Sequence, residues 1–225
     1  RLALNKKLLK SGNLRTETEK LINAASFDQF LEPFTYHWLD LKSVWRDEPD
    51  IRLYPEYRLN DYLIDSMQQE AYETFKLMVK ENLPITTLVD ADFVLVNDIL
   101  SLHYNLPIQY GSQLKRVEVP ADSPYGGLLT TGAIMKVTAN GTASSPIVRG
   151  AWVMDRLLGS PPPPPPANIP AAEPDIRGAT TLKEQLQKHA SNTTCAACHA
   201  TFDPIGFSLE NFDIYGKWRV RYRSL

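Results

Sequence analysis

Helical spacing dominates this chain and points to a mainly α fold. The expected architecture is a helical domain, a polyproline strap and a compact second domain, with a minor irregular β segment. Three observations carry that reading. Apolar residues recur at steps of three and four through the first half, helix-capping residues and prolines mark starts and stops, and six consecutive prolines, 161–166, separate two helical stretches. The 225 residues are 43% hydrophobic and 22% charged, enough apolar material for a buried core. A formal net charge of −2, without basic runs, argues against nucleic acid as a partner. No apolar run approaches the roughly 18 residues of a transmembrane segment. The chain has 2 cysteines, in one short motif, so a disulfide framework is excluded.

Taken in order, residues 1–112 read as the helical domain. Its clearest helix starts at Asn60 or Asp61, both good N-caps. It carries Leu63, Met67, Ala71, Phe75 and Met78 on one stripe and stops by Asn82, ahead of Pro84. A second helix is expected over Phe93–Tyr104, with Asp92 as its cap and Pro107 beyond its end. Residues 113–160 form an irregular segment followed by a helix. Lys115–Val119 alternates like a short strand, and glycines 126, 127, 132 and 141 interrupt the rest. Ser145-Pro146 then starts a helix that is expected to end at Gly159. Residues 161–178 are the polyproline linker. Its prolines set a stiff polyproline II rod of roughly 3.1 Å per residue, a connector rather than a ligand for another protein. Thr180 or Thr181 caps a helix through Lys188, and residues 179–225 make the last domain. The chain opens at Arg1 without an initiator Met and reads as an interior piece of a longer precursor whose further domains are missing.

Cys195-Ala-Ala-Cys198-His199 is the motif with a sharp chemical meaning. C-x-x-C-H is the attachment signature of c-type haem. On a helix, positions i, i+3 and i+4 share a face. Two thiols there can form thioethers with the haem vinyl groups while the imidazole meets the iron. Zinc is a poorer reading, because tetrahedral sites want four ligands and no second pair of cysteines exists. A thioredoxin-like thiol pair would follow a strand, and here a polar helix and Asn192-Thr-Thr precede the motif. One covalent haem c is therefore expected, and its attachment chemistry places the protein in the periplasm or at the cell surface.

The stretch from Thr194 to Arg219, with Asp203-Pro204, Gly206, Glu210-Asn211-Phe212-Asp213 and Gly216-Lys-Trp218, resembles the planctomycete-type cytochrome c domain family. Gly127-Leu-Leu-Thr, Lys136-Val-Thr-Ala-Asn-Gly-Thr and Ser145–Val153 are similar to the segment that precedes the motif in that family. Tyr54-Pro55, Met67–Glu70 and Asn97–Tyr104 resemble its upstream helical domain. The resemblance implies an exported c-type cytochrome of large multidomain proteins and names no reaction.

Around the motif, His199 is the expected proximal iron ligand. A turn over Asp203–Gly206 would place Pro204 on the proximal side, and Phe207, Phe212 and Trp218, with Phe202, are the natural apolar walls. Asp213 is placed to brace the turn before Gly216. Arg149, Arg219 and Arg221 are candidates for the haem propionates. The sixth ligand must come from upstream in this chain. Met135 is the first candidate, in a Gly/Thr segment free to fold over the haem. Met67, Met78, Met154, His37, His103 and His189 stand behind it, as does an open iron or a ligand from outside this piece. The expected function is electron transfer to a redox partner, within a larger protein or complex. A haem enzyme of peroxidase or dehydrogenase type, or a structural or assembly subunit with the haem as relay or core staple, are the alternatives.

Overall fold

The computed structural model describes residues 2–10, 12–163 and 193–223, and for 193–199 the backbone alone. The helix expected over 180–188 and His189 lie outside the described residues. The fold is mainly α. Two helices, α1 (Asn13–Ile22) and α2 (Phe27–Trp38), lead into the central helix α3 (Asp61–Lys80). Asn60 caps α3 by accepting from the Leu63 amide at 3.1 Å. Leu63, Met67, Ala71 and Met78 are buried along it, as the stripe requires.

The single helix expected over Phe93–Tyr104 is instead two elements. Phe93–Val96 is strand β1, with all four residues buried, and it pairs antiparallel with β2 (Lys115–Glu118), Val94 opposite Val117. A run of β-branched and aromatic side chains buried on both faces suits a strand better than a helix. Asn97, not Asp92, then caps helix α4 (Asp98–His103) through the Leu100 amide. A second difference lies in the Gly/Thr segment, where Gly132–Val137 forms helix α5, buried at every position. Its Gly132 amide donates to the Tyr104 hydroxyl at 2.7 Å, and that hydroxyl donates to buried Glu70 at 2.6 Å. Helix α6 (Pro146–Arg156) has Ser145 as cap and Pro146 at its first turn. It stops at Arg156, with Gly159 beyond its end at φ +61°.

Helix α7 (Thr193–Ser208) packs on α6 with backbone against backbone. A Cβ on Gly150 would stand 2.1 Å from the Phe202 carbonyl oxygen, and one on Gly206 would stand 1.8 Å from that of Pro146. Only glycine permits either approach. Pairing 150 with 202 and 146 with 206 makes the two helices antiparallel. The segment after α7 docks on the first half of the chain. Tyr215 stacks on Tyr57 at 4.2 Å between ring centres, the His103 ring donates Nε2–H to the Tyr215 carbonyl at 2.8 Å, and Arg223 donates to the Leu53 carbonyl at 2.9 Å.

Candidate haem-attachment site

The backbone of α7 runs unbroken through 193–208, so Cys195, Cys198 and His199 sit at i, i+3 and i+4 of one helix. The same face continues through Phe202 and Gly206, the residues that meet α6. Because the pair is antiparallel, the α6 turn after Gly150 runs alongside the motif's turn. That turn presents Val153, which is buried, with Met154 and Leu157 half-buried. Cysteines at i and i+3 with a histidine at i+4 are the residue types a covalent haem would need. The neighbouring α6 turn is apolar. The residues present fit that group.

The expected surroundings divide. Residues 203–206 are not a turn but the interior of α7, with Pro204 on its exposed side. Phe207 is half-buried and lines an open cavity of about 390 Å3 with Glu210, Arg219 and Tyr222. Phe212 is buried in the core, with Trp218 edge-on to it at 5.2 Å; Trp218 itself is 42% exposed. The bridge between these two residues closes the loop that Asp213 organises. Asp213 accepts from the Tyr215 and Lys217 amides through Oδ1 and from the Tyr57 hydroxyl through Oδ2, at 2.7–3.0 Å.

Met135 does not lie in an irregular segment. It is wholly buried on α5, its Cβ and Cγ close under Gly216. Met67 and Met78 share the core cluster with it, whereas Met154 is half-buried on α6. His103 is buried, and burial lowers its pKa; its Nε2 is committed to Tyr215. His37 is exposed on α2.

Arg149 has a different task from the one expected of it. It is completely buried and donates to the carbonyls of Leu209, Phe212 and Asp213 at 2.7–2.9 Å, with Glu210 at 3.6 Å. Burial lowers its guanidinium to about 10, still charged at neutral pH. It therefore clamps the loop that follows α7 and is not free for a propionate. The signal was present in the sequence, since position 149 falls on the apolar face of α6 between Pro146 and Val153. Arg219 is committed as well, paired with Glu210 at 2.8 Å, bonded to Ser144 and lying over the Tyr222 ring. Arg221 is exposed. Sequence reasoning did not find Tyr57, which joins the first half of the chain to Asp213 and Tyr215.

Two known protein families match this chain. Residues 125–222 match the model PSCyt3, "Protein of unknown function (DUF1588)", and residues 1–106 match PSD4, "Protein of unknown function (DUF1592)". Both models stand for planctomycete-type cytochrome c domain families, and each part of the chain is similar to one of them. That likeness supports a haem-binding, cytochrome-like protein. Searches of curated proteins and of solved structures give no match. Among the described residues no helix is long and apolar enough to cross a membrane.

Proposed function

We propose that this chain is an exported c-type cytochrome that carries one covalent haem and transfers electrons within a larger protein or complex. The C-x-x-C-H motif, on a continuous helix inside a cytochrome-family segment, carries the reading. Cys195 and Cys198 would hold the group through thioethers, and His199 would bind its iron from one side. Once bound, the haem supplies a one-electron couple. The chain's own residues fix the helix that bears it. Gly150 and Gly206 let α6 seat directly on α7, while Arg149 and Asp213 hold the loop behind it. Val153, Met154 and Leu157 on and just beyond α6 would give a haem there an apolar flank. Residues 1–112 act as the platform on which the segment after α7, residues 213–223, docks. Export follows from the attachment chemistry, which works on reduced thiols outside the cytoplasm.

The test is a visible spectrum of the matured, dithionite-reduced protein, before and after carbon monoxide, with a pyridine haemochrome assay. One haem per chain and sharp c-type bands unmoved by the gas are expected. Bands that shift with the gas would favour catalysis at an open iron, and absence of haem would overturn the reading. The double change Cys195→Ala and Cys198→Ala should abolish covalent haem.

A further inference from the structure

A cavity of about 350 Å3 opens away from α7, between residues 44–64, Lys136 and Tyr215. Two buried polar groups face it with hydrogen-bonding capacity to spare. Tyr215 is 1% exposed, yet its hydroxyl has no partner among the described residues. An unpaired buried hydroxyl costs about 1–3 kcal/mol, so such a group points to something that completes it. The Lys136 ammonium, 6% exposed, spends one N–H on the Asp47 carbonyl at 2.8 Å and lies 4.7 Å from the Tyr215 ring centre. Its burial lowers it to about 8. At the mouth stand the exposed carboxylates of Glu48 and Asp61, and the wall is aromatic, with Tyr57 behind and half-exposed Trp45 at the rim.

We propose that this cavity binds a neutral polyhydroxylated ring, a monosaccharide or a sugar residue of a longer chain. The mixed lining favours that chemistry. A bare anion would meet Asp47, Glu48 and Asp61, and a bare cation would meet Lys136 and Arg58. A hydroxyl both donates and accepts, so one ring can take hydrogen bonds from Tyr215 and Lys136 and give them to the carboxylates. Its C–H faces suit the aromatic wall, and the volume lies within the range of small-ligand sites. The site is built from the first half of the chain, α5 and the loop after α7, and it needs no haem.

Saturation-transfer NMR on the matured full chain tests the site, with D-glucose, D-mannose and D-galactose as probes. Transfer from at least one sugar is expected. Tyr215→Phe, which keeps the ring and removes the hydroxyl, should weaken that binding about tenfold, one hydrogen bond's worth. Should Tyr215→Phe unfold, Glu48→Gln at the exposed mouth reads the same site and should weaken binding several-fold. No transfer from any of the three sugars overturns the proposal, leaving a cavity for water alone. Binding that neither variant changes, or preferential binding of acetate or ethylammonium, overturns it too.

Discussion

Arg149 carries a full positive charge into a place without water. Three carbonyl oxygens and Glu210 compensate it there. Removing the guanidinium strips the loop of its clamp and leaves Glu210 buried without that partner. Arg149→Met should destabilise the fold by about 3–5 kcal/mol in chemical unfolding, with Arg149→Lys recovering only part, because an ammonium cannot reproduce the planar fork. Glu70 is the opposite case, a wholly buried carboxyl that burial pushes up to about 8. Between its unfolded value of 4.5 and 8, the folded chain keeps a proton that the unfolded chain has released. Stability contributed by this group is therefore full below that window and falls as pH rises through it. Glu70→Gln, which still accepts from Tyr104, should flatten the pH dependence of the unfolding midpoint across the window. Met135 packs as core, so Met135→Leu should leave the reduced spectrum unchanged. Loss of a six-coordinate signature in that variant would put its sulfur on the iron. These residue roles were unevenly legible. Cys195, Cys198 and His199 stand out because covalent attachment demands one spacing along one helix. Arg149, Tyr57 and Tyr215 take their roles from partners far away in sequence, and no local pattern carries that information.

At the scale of elements, the α6–α7 pair is the feature with least slack. Gly206→Ala places a methyl group inside the Pro146 carbonyl, and backbone on both sides cannot turn aside as a side chain would. The expected cost is about 1–3 kcal/mol, measured by thermal unfolding, together with reduced haem incorporation. Helix α3 was legible because three signals agreed over its length: the Asn60 cap, the apolar stripe and the stop before Pro84. Phe93–Val96 was not, because a short apolar run buried on both faces has no period to separate strand from helix. Nor was α5, whose Gly/Thr-rich sequence is a poor helix former and is held by burial on all sides.

Across the whole molecule, the C-terminal segment and the first half of the chain complete one another. Tyr57, His103 and Leu53 each supply a contact to residues 213–223. A truncated chain beginning at residue 113 loses all three. It should lack the cooperative unfolding transition of the full chain and lose its near-UV dichroism, because so short a remainder cannot assemble a sufficient core. A well-dispersed NMR spectrum from that truncation would show instead that the haem domain folds alone. The overall helical character was legible from spacing, whereas this mutual dependence was not. It rests on pairings between residues more than a hundred positions apart.

The glycine contact between α6 and α7 has a mechanical consequence. Elsewhere a layer of side chains separates neighbouring helices and can relax when one of them is pushed. Here there is no such layer, so a displacement of the histidine-bearing helix must drag α6 with it. Through the Trp38 indole, which donates to the Arg156 carbonyl at 2.6 Å, it must pull on α2 as well. Under the proposed function, a scaffold that stiff would let the iron change charge with little movement of its surroundings. Low reorganisation of this kind favours fast electron exchange over long distances.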